Sequence, residues 1–162
     1  MNHEHHFECR LDWIGAAKGP TTSYASYSRE LTVDVAGKPQ LRASADPAFR
    51  GDASLWNPED MLVASLSACH CLSYLALAAS AGVRVVAYED HAKGTMDLVG
   101  EGDSRVIRFT RVVLRPKVTI AAGADREKAQ RLHAKAHHEC FIAASVNFPV
   151  ENEPAIVVAE EG

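Results

Sequence analysis

The sequence contains no internal repeat, no low-complexity tract and no block of like charge. Its 17 Lys and Arg residues are scattered among 21 Asp and Glu residues, and the formal net charge is -4. A nucleic-acid interface requires a clustered basic face, so this class of protein is excluded. The N-terminus shows no basic region followed by an apolar one. We therefore expect no signal peptide and a cytoplasmic protein.

Long hydrophobic runs are also scarce. Only residues 61–83 approach the length of a membrane span, and serines, cysteines and a histidine interrupt them. Basic flanks are missing as well, so we interpret this segment as a buried helix rather than a membrane anchor. A chain of this length, 47% hydrophobic, is expected to form one domain over residues 1–162.

Two helices are predicted. Asn57 is a suitable N-cap and Pro58 suits the first helical position, so the first helix is expected to begin there and to end near Ser80. Asp125 is the predicted cap of a second helix that reaches about Ser145. The first helix is apolar nearly all round and so is expected to be buried on every side. One small domain cannot easily surround it, which predicts that a partner subunit covers part of it.

Alternating apolar residues predict strands before, between and after the helices. The predicted strands are residues 7–14, 28–35, 40–45, 83–99, 105–120 and 146–159. A Gly-rich hairpin is expected at 100–104, and Pro116 is expected at a sheet edge or a bulge. The order of elements predicts an α+β fold in which long antiparallel strands cover two helices.

Two of the four cysteines are the candidate reactive groups. Cys69 and Cys140 lie 71 residues apart, each in a predicted helix, and neither belongs to a compact metal-finger spacing. Such a remote thiol pair in a chain without an export signal indicates redox chemistry. Cys71 lies about 200° around the helix from Cys69, so both cannot face one pocket. We interpret Cys71 and Cys9 as structural.

A buried thiol is inert unless a cation stands close to it. Arg50, in the loop before the first helix, is a candidate for that cation, and Arg29 and Arg42 are alternatives. Glu59 precedes Cys69 by ten residues, which separates them by about 15 Å in one helix. From its position alone, Glu59 is an acidic residue that stabilises the helix by interacting with the positive end of its dipole. If it serves a thiolate, it acts on a partner chain or through a long Arg side chain.

Three residues of the second predicted helix suggest a different chemistry. His133, His137 and Cys140 are spaced i, i+4 and i+7 and form one stripe. Such a stripe can bind Zn²⁺ if a fourth ligand comes from elsewhere. The alternative is a helix with polar histidines on a partly hydrated face. His70, beside Cys69, is expected to be a hydrogen-bonded core or interface residue.

Three segments of the chain carry a recognisable pattern. They are residues 57–69 (NPEDML and ASLSAC, with a ten-residue gap from Glu to Cys), residues 49–52 (FRGD) and residues 140–146 (CFIAASV). Together they resemble the OsmC/Ohr family of thiol-dependent peroxidases. The order of strands and helices also matches, so the resemblance spans almost the whole chain. The family often has Pro after the second Cys, where this chain has Phe141.

The resemblance implies an intertwined homodimer with active sites at its interface. It also implies a peroxidatic Cys69, a resolving Cys140, and activation of the thiolate by Arg50 and Glu59. The substrates would be organic hydroperoxides more than hydrogen peroxide, the reductant an external dithiol, and no metal or organic cofactor would be required. A Zn²⁺-binding protein and a non-enzymatic redox sensor on the same fold remain as alternatives.

Overall fold

The structure is a computed structural model that describes residues 4–160. The described strands are β1 (Arg10–Asp12), β2 (Leu31–Asp34), β3 (Leu41–Ala43), β4 (Val85–Asp90), β5 (Lys93–Val99), β6 (Val106–Leu114), β7 (Pro116–Ile120), β8 (Val150–Asn152) and β9 (Ala155–Val158). The helices are α1 (Pro58–Ser80) and α2 (Arg126–His138). The fold is α+β, as expected. The chain divides after Met61 into two compact units, each described by itself.

The N-terminal unit contains one antiparallel sheet in the order β1-β2-β3. All three predicted strands are present, but each is shorter than the sequence pattern indicates. The turn between β2 and β3 includes Gly37, whose φ of 76° lies in the left-handed region that glycine adopts without strain. The indole nitrogen of Trp13 donates a hydrogen bond of 2.7 Å to the carbonyl of Ser28.

Helix α1 begins and ends where the sequence predicts. The side chain of Asn57 accepts a hydrogen bond of 2.7 Å from the backbone N–H of Asp60, so it caps the helix as expected. Glu59 and Asp60 lie in the first turn, next to the positive end of the helix dipole. The helix is followed by Gly82, which has a φ of 72°.

The C-terminal unit contains two three-stranded sheets, in the orders β4-β7-β9 and β5-β6-β8. The predicted single strands over 83–99 and 105–120 are therefore wrong, because each is divided between the two sheets. Asp90 marks the division: its carboxylate accepts from Arg115 N–H at 2.6 Å, where both long segments leave one sheet for the other. The hairpin between β5 and β6 is confirmed, with Val99 paired to Val106.

Two further expectations about the strands are corrected. β7 is the central strand of its sheet, and Pro116 is its first residue, a position that tolerates proline because the ladder has hardly begun. The predicted strand 146–159 is β8 and β9, which pair in parallel with β6 and β7. Both sheets of the C-terminal unit are therefore mixed rather than wholly antiparallel.

The C-terminal unit buries only one stripe of α1. The fully covered residues of α1 are Leu66, His70, Tyr74 and Ala78, spaced four apart. As expected, the single chain does not surround α1, since Leu72 on another face is 67% exposed. Burial of that face by a partner subunit stays a prediction. By length and composition alone, α1 is also apolar enough to cross a membrane.

The second helix ends earlier than predicted. It stops at His138, with Glu139 as its C-cap, so Cys140 lies outside the helix. The Cys140 sulfur instead accepts a hydrogen bond from the backbone N–H of Ala143 at 3.4 Å, which stabilises a new short turn. The predicted cap is confirmed, because Asp125 accepts from Lys128 N–H at 2.9 Å.

Candidate functional site

The structure brings Cys69 and Cys140 together, although 71 residues separate them. Cys69 lies on α1 and is half-buried, whereas Cys140 follows α2 and is only 1% exposed. The two thiols are close enough for Cys69 to raise the pKa of Cys140. Both are free thiols. The C-terminal unit therefore contains one accessible thiol with a second, covered thiol directly beside it.

The covered thiol is held in its neutral form. Burial, and next the interaction with the Cys69 thiol, raise the pKa of Cys140 to about 11. The backbone N–H of Ala143 lowers the pKa of Cys140, but this effect is smaller. At neutral pH the Cys140 thiol is thus protonated almost completely. It is a poor first nucleophile, and the more exposed Cys69 is the better placed of the two to meet a substrate.

An apolar cavity of about 800 Å³ borders the thiol pair on the Cys140 side. Its lining comes from α1 and from the end of α2 with the turn after it. The lining residues are Leu72, Ser73, Ala76, Leu77, Ser80, His138, Glu139, Cys140, Phe141 and Ala144. Its volume is in the range of small-molecule sites, and its walls are suited to an apolar ligand.

The other two cysteines are separate from this pair. Burial, and then the nearby Asp90 carboxylate, raise the pKa of Cys71. That thiol is consequently less reactive than an ordinary one. Cys9 is exposed in the N-terminal unit.

Arg50 lies in the N-terminal unit, immediately after a short turn over Pro47–Phe49. Its φ of 65° lies in the left-handed region, where residues other than glycine are strained. Its guanidinium lies 5.9 Å from the centre of the Tyr24 ring. The next residue, Gly51, packs so tightly that an added Cβ would lie 1.5 Å from the Ala45 carbonyl oxygen. Close packing therefore fixes the backbone of the turn at Arg50.

The two alternative arginines are engaged differently. Arg42 forms an ion pair with Glu30 at 2.9 Å. Arg29 donates to the backbone carbonyls of Tyr24 and Tyr27 at 2.6 and 3.1 Å, and its guanidinium lies over both rings. Within residues 4–160 no hydrogen bond or ion pair engages the Arg50 guanidinium, which leaves it available for an anion.

Glu59 presents an unusual carboxylate. Its Oε2 atom is buried and has no hydrogen-bond partner among the described residues. A buried acceptor without a partner costs free energy, and native structures rarely leave one. Glu59 therefore lacks a donor in the described part of this single chain.

His133, His137 and Cys140 do not together form the predicted zinc site. Cys140 faces Cys69 instead, and among residues 4–160 no group of three or more His, Cys, Asp or Glu side chains is arranged to hold a metal ion. His133 instead pairs with His70: His70 Nε2 lies 3.0 Å from His133 Nδ1. His70 is thus a hydrogen-bonded core residue, as expected, but nothing in the sequence indicated its partner.

Sequence reasoning also missed the role of Asp90. One of its carboxylate oxygens accepts from the Ser67 hydroxyl at 2.5 Å, and the other accepts from Arg115 N–H. Ser67 lies on α1, two residues before Cys69. Asp90 therefore ties the thiol-bearing helix to the point where the sheets divide.

Comparisons with known proteins agree on one family. The family of OsmC-like proteins matches residues 51–153. An OsmC-like protein of unknown function from Vibrio cholerae is 30% identical, with a TM-score of 0.83 over 93% of this chain and 99% of the other. No curated protein matches the sequence.

More distant solved structures share the fold. An organic hydroperoxide resistance protein from Elizabethkingia anophelis is 18% identical, with a TM-score of 0.67 over 98% of this chain and 100% of the other. An organic hydroperoxide resistance protein OsmC from Legionella pneumophila is 15% identical, with a TM-score of 0.67 over 97% and 100% of the two chains. At these identities the likeness shows the fold alone.

Proposed function

The chain belongs to the OsmC-like protein family, and on that premise we propose that it is a cysteine-based peroxidase for organic hydroperoxides. One observation carries the proposal: an accessible thiol, Cys69, lies beside a covered and protonated thiol, Cys140. Peroxide reduction by two cysteines requires this arrangement of one thiol that attacks and one that resolves.

In the first step the Cys69 thiolate attacks the terminal oxygen of the hydroperoxide ROOH. The O–O bond breaks, the alkoxide takes a proton and leaves as ROH, and Cys69 becomes a sulfenic acid. In the second step the Cys140 sulfur attacks the Cys69 sulfur, which forms a disulfide and releases water. An external dithiol then reduces the disulfide and is itself oxidised. The cycle balances with one peroxide and one dithiol, and no metal or organic cofactor takes part.

Arg50 is proposed to activate the Cys69 thiolate and to stabilise the negative charge that develops on the peroxide oxygens. Its guanidinium forms no hydrogen bond or ion pair within the described residues, whereas Arg42 pairs with Glu30, which supports this role for Arg50 over Arg42. Glu59 is proposed to orient the arginine, since its buried Oε2 lacks a donor.

The homodimer is part of this proposal. Leu72 and other apolar residues of α1 are left uncovered by the single chain. A second copy would cover that face and bring the partner's cationic side chain to Glu59. The apolar cavity beside Cys140 favours an organic hydroperoxide over hydrogen peroxide, because an apolar substituent gains from burial there. We further propose that the protein acts in the cytoplasm, without a nucleic-acid or membrane partner.

Peroxide consumption in the presence of dithiothreitol tests the proposal. Cumene hydroperoxide and hydrogen peroxide are compared for the wild type, Cys69→Ser and Cys71→Ser, the last being a matched thiol on the same helix. We expect turnover with the organic peroxide to be lost only in Cys69→Ser. Loss in Cys71→Ser instead would reject Cys69 as the nucleophile.

The raised pKa of Cys140 supports one other function, a redox sensor that is oxidised once and reset slowly. Such a protein would consume about one equivalent of peroxide and then stop, even with dithiothreitol in excess. Sustained turnover distinguishes the enzyme from the sensor.

A further inference from the structure

A second cavity, of about 340 Å³, lies between α2 and residues 150–154 in the C-terminal unit. Its lining residues are Gln130, His133, Ala134, His137, Val150, Asn152 and Pro154. None of these residues borders the cavity beside Cys140. The proposed peroxidase cycle uses none of them, so the two imidazoles in this cavity need a separate explanation.

His133 is the deeper of the two histidines, with 3% of its surface exposed. Its Nδ1 atom lies 3.0 Å from His70 Nε2, and the Tyr74 ring stacks on it with centroids 4.1 Å apart. Its other nitrogen, Nε2, is buried and has no hydrogen-bond partner among the described residues. The ring is therefore fixed by its neighbours while one nitrogen stays unused.

His137 lies one helical turn later, on the same face of α2. Its Nδ1 atom is 3.0 Å from the amide nitrogen of Asn152 on β8, while the amide oxygen of Asn152 is buried without a partner. The two ends of a carboxamide have nearly the same shape. Exchanging them lets the Asn152 oxygen accept a hydrogen bond from His137 Nδ1–H, which leaves the lone pair on His137 Nε2.

The same tautomer is available to His133. If Nδ1–H of His133 donates to His70 Nε2, the lone pair of His133 also lies on Nε2. Both imidazoles then have their Nδ1 atom held by a residue of another element, His70 on α1 and Asn152 on β8. Metal-binding histidines typically have this support, in which the second ring nitrogen donates to an outer partner that fixes the tautomer.

We propose that His133 and His137 bind a late first-row divalent metal ion, such as Zn²⁺ or Co²⁺, through their Nε2 atoms. Two histidines spaced i, i+4 on one helical face are an established way to present two nitrogen ligands to such an ion. Imidazole is a preferred ligand of these metals. Water or an added ligand fills the remaining coordination positions from the cavity, so the site is independent of the thiol pair.

The charge state of the inner ligand agrees with this assignment. Burial, and then the neighbouring His70, lower the pKa of His133 to about 4. The ring is neutral at pH 7, as a metal ligand must be, and a proton does not compete for its lone pair.

The test must separate this site from the N-terminal histidines His3, His5 and His6, which also attract metals. All variants therefore carry alanine at those three positions, and the protein is purified without a metal column. Co²⁺ alone is titrated into the full chain, and binding is monitored by calorimetry and by visible absorption. Zn²⁺ is then added in the same way while the histidine ring protons are followed by NMR. A thiolate ligand would give a charge-transfer band with Co²⁺, and imidazole ligands do not.

We expect one Co²⁺ per chain without a thiolate band, and Zn²⁺ shifts that are largest for the His133 and His137 rings and extend to the His70 ring that contacts His133. The half-exposed His137 can be replaced without disturbing the core, so His137→Ala is expected to abolish binding. Asn152→Ala is expected to weaken it about tenfold, the effect of losing an outer partner. His138, the exposed neighbour of His137, is the matched control. The His138→Ala variant should bind Co²⁺ as tightly as the parent protein does. Absence of one-to-one binding, binding that survives His137→Ala, or a thiolate band would each overturn the proposal.

Discussion

His70 Nε2 on α1 lies 3.0 Å from His133 Nδ1 on α2, and both rings are buried. Burial lowers the pKa of both imidazoles, that of His133 to about 4. For His70 the nearby His137 acts in the same direction, whereas Asp90 opposes it. The unfolded chain therefore binds protons on these histidines at a higher pH than the folded chain does. The pair stabilises the fold fully above pH 6.5, and its contribution is lost as the pH falls towards 4.

The first prediction is that the protein is sensitive to mild acid. From the lowered pKa of His133 alone, the free energy of unfolding should fall by about 2 kcal/mol between pH 7.5 and pH 5. Urea unfolding at both pH values measures it. His133→Gln should be less stable at pH 7.5 but lose less on acidification. His138→Gln, an exposed control on the same helix, should match the wild type, and an equal loss in all three proteins would contradict the prediction.

The second prediction concerns oxidation by one equivalent of peroxide. The product should be an intrachain disulfide between Cys69 and Cys140, because the two thiols already lie close enough to interact. Peptide mapping by mass spectrometry identifies the linkage. Cys71→Ser should form the same disulfide. A Cys69–Cys71 or an intersubunit linkage would eliminate Cys140 as the resolving residue.

The third prediction is that disulfide formation is slow at neutral pH and accelerates in base. Burial, the larger cause of the raised pKa of Cys140, persists after Cys69 is oxidised. Because the thiolate attacks, the rate of the second step should rise about tenfold per pH unit from 7 to 9. Quenched-flow alkylation of the remaining thiol measures this rate. A rate independent of pH would show that Cys140 attacks with a lowered pKa.

The sequence predicted α1 well because its boundaries are set by local chemistry, the Asn57 cap and the glycine beyond Ser80. The C-terminal boundary of α2 was wrong because the competing interaction is tertiary: the Cys140 thiol faces Cys69 and accepts from Ala143 N–H. Periodicity cannot reveal such a contact.

Strand assignment failed for a related reason. The polar residues 89–91 and Pro116 interrupt the apolar alternation near Asp90 and Arg115. Such interruptions do not show that the chain passes from one sheet to another. A side-chain hydrogen bond joins the two segments at the division, between residues 25 apart in the sequence. For the site, the sequence and the family resemblance indicated both cysteines, whereas the His70–His133 pair required the packing of α1 on α2.

The fourth prediction tests Asp90 as a structural tie. Asp90→Ala removes the acceptor for Ser67 Oγ–H and for Arg115 N–H, and we expect a loss of about 2 kcal/mol in the free energy of unfolding. Asp90→Asn retains an oxygen acceptor and should lose less. Glu89→Ala is the control, because Glu89 lies on the same strand as Asp90. This change breaks only an exposed ion pair with Lys117 and should have little effect on the free energy of unfolding. Equal losses for Asp90→Ala and Glu89→Ala would refute the tie.

The last prediction concerns Glu59, whose buried Oε2 lacks a partner in the described residues. One continuous helix, α1, holds Glu59 and Cys69 about 15 Å apart, so the two cannot meet in one subunit. We predict that Glu59 of one subunit supports the arginine and the Cys69 thiolate of the other. Mixed dimers measure this: a Glu59→Ala subunit is combined with a Cys69→Ser subunit, and the heterodimer is purified and assayed with cumene hydroperoxide.

Action across the interface leaves one working site, because the intact Glu59 and the intact Cys69 are on opposite chains. The heterodimer should then have about half the wild-type activity, while both parent homodimers are nearly inactive. If Glu59 acts within its own chain, the only subunit that retains the thiol lacks its glutamate, and activity stays as low as in the Glu59→Ala homodimer. Fully active Glu59→Ala homodimers would reduce the residue to a helix-dipole acid, worth a few tenths of a kcal/mol in stability and nothing in catalysis.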